Sequence, residues 1–259
     1  MFRAPLLIVK QQSILHSSLS YNRRFFDPFF NWSFVEFKPS PFAMSIKLWG
    51  SVTSACTHRV LITLNELGLK YDLTQINLMK GEQKNPIYVK ERHPFGRIPV
   101  IQDGDLQLFE SRAICRYLVT KYGGPSSPLD AVASGDPVKI AKFEKALSID
   151  YSYFDPSVKT LCNEKLWKNP AEPANPLEED KATTMFKIAL DYYEDFLGSN
   201  AYLAGNDFSL TDVHVFTWMP YIKLLGLYEE IAARPKVEDL WKRVSSRSAW
   251  KSALKDMPQ

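Results

Sequence analysis

A chain of 259 residues with 45% hydrophobic content is long enough for two domains with packed cores. No apolar run approaches the ~18 residues of a membrane span, and three cysteines (Cys56, Cys115, Cys162) without a C-x-x-C pair argue for a reducing compartment and against a zinc site. The formal charge of +3 arises wholly in residues 1–43, and the rest balances to zero, so no basic body face invites nucleic acid.

Residues 1–43 do not read as a folded unit. Arg3 to Phe26 contains no acid, carries Ser13, Ser17, Ser18 and Ser20, and ends in Arg23-Arg24-Phe25-Phe26, the composition of a mitochondrial presequence. Leu6 to Val9 is too short for a secretory core. Met44 stands just before the first predicted strand, so an upstream stretch read through from an extra start codon accounts for these residues equally well.

From Met44 onward, strand and helix alternate. Ile46 to Gly50 is a strand, and small polar residues run from Ser51 to Thr57. Val60, Leu61, Leu64 and Leu67 then recur at helical spacing until Gly68. Tyr71 to Asn77 alternates as a second strand, parallel to the first across a right-handed crossover. Lys80 to Pro86 is a polar loop, followed by a short predicted helix over Ile87 to Arg92. Val100-Ile101 and Leu106 to Phe109 are two apolar runs. Asp103-Gly104 between them signals a hairpin, because a primed turn needs positive φ. Pro99 heads the first run, where it cannot donate to a ladder, and it pushes Ile98 into an extended conformation. The main chain of Ile98 is then open to an added extended peptide, or simply turns. Ala113, Ile114, Tyr117 and Leu118 mark the next helix, with Ser111 as its N-cap.

Gly123 to Pro128 is a linker by composition, and beyond it the chain is helical. Pro137 opens a helix bearing Ile140, Phe143, Leu147 and Tyr151, which Asp155-Pro156 should kink or pause. After a break at Asn169 to Asn175, a long helix carries Met185, Ile188, Ala189, Tyr192 and Phe196 and ends at Gly198. Ser209-Leu210-Thr211-Asp212 is a capping-box variant before Val213, Phe216 and Trp218. Shorter helices are predicted around Val237 to Val244 and Ala249 to Leu254. The fold class is α/β plus all-α: residues 44–122 form a small sheet domain in the order βαβαββα, 123–136 a linker, and 137–259 a helical domain.

Each candidate residue has a structural and a functional reading. Ser54 is a plain N-cap, or a hydroxyl presented at a positive helix end. Cys56 is a rival nucleophile, or a small buried side chain pointing elsewhere two residues along a helix. Glu110 and Ser111 are a turn acid and a cap, or a carboxylate-and-ammonium site at a helix N-terminus. Gln83 and Lys84 sit in a polar loop, and Arg97 is exposed or a carboxylate partner. Arg59 and Arg112 supply a positive field or, more commonly, join ion pairs. Tyr151, Tyr153, Phe154 and Trp218 line an apolar pocket or the core. His58 and His214 lack acidic partners at readable spacing, and no metal-ligand cluster is visible.

From Met44 to its end the chain resembles the soluble glutathione transferases, the phi class most closely. The resemblance rests on S-A-C-T-H-R-V-L at Ser54–Leu61, K-G-E-Q-K at Lys80–Lys84, P-F-G-R-I-P at Pro94–Pro99 and D-G-D-L-Q-L-F-E-S-R-A-I at Asp103–Ile114. F-D-P at Phe154–Pro156 and A-G-N-D-F-S-L-T-D at Ala204–Asp212 support it. It implies a thioredoxin-like N-terminal domain, an all-helical C-terminal domain, a homodimer, and a cis peptide at Pro99. It implies that Ser54 stabilises the glutathione thiolate and that the Ile98 main chain pairs with the cysteinyl backbone. Ser111 would hold the γ-glutamyl carboxylate and Glu110 the ammonium. Gln83 and Lys84 would meet the glycyl carboxylate, with Arg97 nearby. Arg97 stands where the class usually has glutamine, Gln83 where histidine is common, and the loop at Gly50–Thr53 lacks the usual proline. Val52, Thr53, Tyr151, Phe154 and Trp218 would face a small apolar electrophile. Glutathione is the co-substrate, and no metal, nucleic acid or membrane is expected as a partner. The implied role is detoxification of xenobiotics in the cytoplasm, or in mitochondria if residues 1–43 are a presequence. Alternatives are a glutathione-dependent peroxidase, a thiol transferase, or a non-catalytic carrier of apolar ligands.

A chain beginning at Met44 is expected to fold and to bind glutathione as the full chain does, measured by calorimetry. Loss of binding on that truncation would contradict the division at residue 43.

Overall fold

The computed structural model describes residues 45–256 except 126 and 170, so the readings placed on residues 1–43 lie outside it. Four strands form one sheet: β1 (Ile46–Gly50), β2 (Tyr71–Gln75), β3 (Val100–Asp103) and β4 (Leu106–Phe109), in the order β2-β1-β3-β4. β1 and β2 are parallel through the crossover helix α1 (Ala55–Glu66), as the sequence predicts. β3 runs antiparallel to both β1 and β4. Side chains alternate across the sheet with the strand period of two. Leu48 and Ile101 enter the main core under α1 and α3 (Ser111–Tyr122). Trp49, Val100 and Phe109 enter a smaller cluster with Tyr88 of α2 (Pro86–Glu91).

The register decides where the chemistry lies. Trp49 pairs with Val100, Val100 with Phe109, and Gly50 with Gln75. The loop after β1, the segment before β3, the segment after β4 and the loop after β2 therefore all emerge at one end of the sheet. The hairpin turn falls one residue later than expected. Asp103 pairs with Leu106, so the turn residues are Gly104 and Asp105, with Gly104 at φ 59. Glycine is needed at the first turn position rather than the second, and the ladder extends through Asp103.

The helical part comprises α4 (Pro137–Ile149), α5 (Asp155–Cys162), α6 (Pro176–Phe196), α7 (Leu210–Phe216), α8 (Met219–Leu224), α9 (Tyr228–Ala232), α10 (Pro235–Ser246) and α11 (Ser248–Leu254). The pause expected at Asp155-Pro156 is absent. A π-helical turn at Asp150–Phe154 carries α4 straight into α5, and Pro156, which has no N–H to donate, sits in the first turn of α5 directly after it. A second π-helical turn, Asn163–Trp167, extends the same rod. The 123–136 segment is docked rather than loose: Leu129 and Asp130 are buried, Arg116 pairs with Asp130 at 3.1 Å, and the Leu210 amide donates to the Leu129 carbonyl at 2.9 Å. The capping box forms as read, with Ser209 and Asp212 exchanging bonds across the first turn of α7.

Sheet and helices are pinned by a buried ion cluster. Arg59 of α1 donates to Asp155 Oδ1 at 2.5 Å. Arg112 of α3 donates to the same oxygen at 3.0 Å and to Asp150 Oδ2 at 2.6 Å. Trp218 Nε1 also donates to Asp155 Oδ1, at 2.9 Å. The two arginines thus join ion pairs, the more common of the two readings. Burial works to raise the Asp155 carboxyl, but Arg59 and then Arg112 outweigh it and hold it down at about 2.

Removing one partner from a buried pair leaves an uncompensated charge, so Asp155→Asn is expected to cost ~3–5 kcal/mol in denaturant unfolding near neutral pH. The depressed carboxyl contributes stability above its unfolded value of ~3.9 and loses it as pH falls through about 2. The gap between wild type and variant should therefore close from roughly pH 4 downward. An equal gap at pH 7 and pH 2 would contradict the assignment.

Candidate active site

Ser54 is the N-cap of α1. Its φ of −101° and ψ of 122° are extended, and its oxygen accepts from the Thr57 amide at 3.3 Å. Among the described residues this is the one hydrogen bond of that hydroxyl, so its proton is free to donate outward. The loop Ser51–Ser54 is held from both sides. His58 Nε2 donates to the Val52 carbonyl at 2.7 Å, the Val52 amide donates to Gln75 Oε1 at 3.3 Å, and the Tyr221 hydroxyl donates to the Thr53 carbonyl. Burial pushes the His58 imidazole down to about 4, so it serves as a neutral strut and not as a base. Burial also pushes the Tyr221 phenol up to about 12, which keeps it a donor.

Ser54 opens onto a cavity of about 1190 Å³, shared with Thr53, Cys56, Gln83, Trp218 and Tyr221. This exceeds the roughly 300–1,000 Å³ of an ordinary small-molecule site, leaving room for two reactants. Beside it lies a charged strip. The Lys84 ammonium donates to the Phe95 carbonyl at 3.2 Å, and the Tyr88 hydroxyl to the Arg97 carbonyl at 3.0 Å. The Ile98–Pro99 peptide is cis, and the Ile98 amide and carbonyl take no hydrogen bond among the described residues. His93 sits beneath the strip with Nε2 4.0 Å from Glu110. Burial lowers its pKa, Glu110 opposes this, and Arg97 and Lys84 add to it, which places all three charges around one ring.

Glu110, not Ser111, is the N-cap of α3, and its side chain makes no cap bond. It holds φ at 72°, a conformation that a non-glycine residue keeps only when its surroundings impose it, and such outliers cluster at functional sites. Its carboxylate is 67% exposed. Ser111 is the first residue of α3 and is buried, so its amide is one of the free donors of the first turn.

Two family profiles match the chain: "Glutathione S-transferase, N-terminal domain" over residues 44–120 and "Glutathione S-transferase, C-terminal domain" over residues 160–248. The chain belongs to the glutathione S-transferase family. Within it, the chain is most like the phi class. Glutathione S-transferase PM239X14 of Arabidopsis thaliana is 38% identical over 202 residues, covering 76% of this chain and 90% of that protein. The crystal structure of glutathione transferase F7 from Populus trichocarpa superposes with a TM-score of 0.75 at 30% identity, covering 83% of this chain and all of the other. Glutathione S-transferase I from maize, solved in complex with an atrazine glutathione conjugate, gives 0.71 at 27% identity, with 83% of this chain and all of the other covered. The fold is the thioredoxin-like sheet domain with a helical C-terminal domain that this family shares.

On this transferase fold the expected electrophile residues scatter. Thr53 and Trp218 line the cavity. Val52 is half-buried in the loop and outside the cavity wall, its carbonyl taken by His58. Phe154 is 1% exposed and packs between Phe186 and Tyr193, because the unbroken rod turns it into the core. Tyr151 lies outside the wall too, 63% exposed with the Arg112 guanidinium over its ring at 5.2 Å. Cys56 corrects the expectation in the other direction: it is half-buried and lines the cavity, with Arg59 donating to its sulfur at 3.5 Å. An N-cap side chain departs from non-helical backbone, so the helical 100° rule does not separate Ser54 from Cys56. Sequence reasoning missed Trp167 and Tyr221, whose aromatic spacing resembles core.

Gly96 holds the strip together. It has φ 56°, and a Cβ there would stand 2.8 Å from the Gln83 carbonyl oxygen and 2.9 Å from Lys84 Cδ. Gly96→Ala is expected to destabilise the fold by at least ~1–2 kcal/mol from the left-handed backbone alone. Unchanged urea unfolding would show that the two loops do not touch.

Proposed function

We propose that this protein conjugates the glutathione thiol to small apolar electrophiles, with the Ser54 hydroxyl donating to the thiolate. The observation that carries this is the free Ser54 proton at the N-terminus of α1, facing a cavity large enough for two reactants. The charged strip complements glutathione. Lys84, Gln83 and Arg97 suit its glycyl carboxylate, the amide and hydroxyl of Ser111 at the start of α3 suit its γ-glutamyl carboxylate, and Glu110 suits its ammonium. The unpaired main chain of Ile98 suits its cysteinyl amides. The homologues' names and the conjugate bound in the maize structure support the same chemistry. As in the family at large, the working form is a cytoplasmic homodimer acting on xenobiotics. Among the described residues no helix is long and apolar enough to cross a membrane.

The energetics suffice without a general base. A free thiol has a pKa near ~8.5, and lowering it by about two units takes roughly 2.7 kcal/mol. A hydrogen bond to a charge supplies ~1.5–3 kcal/mol and a helix N-terminus about 0.3–1. A second reading, thiol transfer through Cys56, draws on that residue's place in the same cavity.

The pH dependence of conjugation separates the two. Ser54→Ala is expected to lose ~10- to 100-fold in rate at neutral pH, to recover partly above the thiol's own pKa of ~8.5, and to bind glutathione nearly as before. Ser111→Ala should do the reverse, weakening glutathione about tenfold or more with a smaller effect on the saturated rate. If Ser54→Ala keeps its activity and Cys56→Ser loses it, the thiol-transferase reading replaces this one.

A further inference from the structure

The Glu110 carboxylate is presented to solvent with little to hold it. Its backbone is left-handed, its side chain makes no cap bond, and it is 67% exposed. Among the described residues the one basic group within 4.0 Å of it is His93, whose Nε2 stands at that distance. His93 itself is fixed. It is buried, its ring lies 4.5 Å from that of Phe109, the residue before Glu110, and it meets Phe95 edge-on at 6.1 Å. The Phe95 amide donates to its Nδ1 at 3.4 Å, and the Gly96 amide donates to its carbonyl at 2.8 Å. A ring nitrogen that accepts carries no proton, so neutral His93 carries its proton on Nε2, facing Glu110. Lys84 and Arg97 are the other charges around the ring, both from the strip. On the α2 side, Tyr88 donates to the Arg97 carbonyl, and Arg92 turns to Gln107 and the face of Trp49.

We propose that His93 is a positioning residue for glutathione: its Nε2–H steadies the Glu110 carboxylate where the γ-glutamyl ammonium docks, and protonation of the ring undoes this. The proposal rests on the assignment of Glu110 to that ammonium. A second proton goes to Nδ1, and the acceptor of the Phe95 amide becomes a donor facing a donor. The same proton sets a full positive charge 4.0 Å from Glu110. Imidazolium and ammonium then compete for one carboxylate. Burial lowers the imidazole from its ordinary value of 6.5, Glu110 opposes this, and Arg97 and Lys84 add to it. Recognition of the ammonium is therefore complete above pH 6.5 and is lost as pH falls below that value.

The test is calorimetric binding of two ligands to the full chain: glutathione, and glutaryl-cysteinylglycine, which lacks only the amino group. Their affinity ratio isolates the ammonium. At pH 7.5 wild type is expected to prefer glutathione about tenfold or more, as for a hydrogen bond between charged groups. By pH 5 that preference should shrink ~twofold or more. His93→Asn keeps an acceptor near the Nδ1 position and removes the Nε2 donor. It should cut the preference at pH 7.5 ~threefold or more, leave the affinity for the analogue as in wild type, and make the ratio independent of pH. His93→Gln, whose amide reaches the Nε2 position, should restore most of the preference and hold it to pH 5. A wild-type ratio that stays level from pH 7.5 to pH 5, or an equal loss of both ligands in His93→Asn, would overturn the proposal while leaving Glu110 on the ammonium. Equal affinities for the two ligands in wild type at pH 7.5 would overturn the assignment of Glu110, and this inference with it.

Discussion

One carboxylate oxygen joins the parts of this molecule that matter for its chemistry. Asp155 Oδ1 accepts from Arg59, Arg112 and Trp218, and these belong respectively to the helix behind Ser54, the helix that begins at Ser111, and the aromatic wall of the cavity. Such a cluster is expensive to desolvate and is retained where several elements must hold one arrangement. Here it holds the helix capped by Ser54, the helix that begins at Ser111 and Trp218 in one arrangement. Asp150 and Asp155 take the ion pairs of both arginines, and Arg59 also donates to the cavity-lining Cys56 sulfur at 3.5 Å. On the proposed reading a thiolate is held by local donors, the Ser54 hydroxyl and the end of α1.

The sheet makes this arrangement possible before any side chain is considered. With β1 parallel to β2 and β4, and β3 running against them, the ends of three strands and the start of the fourth share one edge. Two helix N-termini, one unpaired peptide segment and one charged loop are thereby brought to one end of the sheet. Ligands gather outside the carboxyl ends of strands in open α/β sheets for the same reason. The strained backbone at Glu110 fits this account: the turn from β4 into α3 is made abruptly, and the carboxylate is left exposed rather than used as a cap.

Much of this was legible in the sequence because the signals were local. Pro99, Gly104, Ser54, Pro137 and the Ser209–Asp212 box each act within a few residues, and each marks a real boundary or cap. What escaped depended on tertiary context. Asp155-Pro156 read as a break, since a proline removes a donor, but the π-helical turn before it carries the rod onward. That continuity buries Phe154, leaves Tyr151 outside the cavity, and places Trp167 at the wall. Cys56 was assigned away from Ser54 by helix geometry that does not apply across a cap. Tyr221 lies in a helix too short to announce itself by periodicity, and its partner is the Thr53 carbonyl, far away in sequence.

The central claim is that a serine hydroxyl, with a helix end behind it, holds bound glutathione as a thiolate. The most direct measurement is ultraviolet titration of the thiolate in the binary complex, without any electrophile, for wild type and Ser54→Ala. The account predicts a bound thiol in wild type ionising about two units below the free thiol's ~8.5, and a return most of the way to that value in the variant. A bound thiol that ionises at the same low pH in both proteins would contradict it.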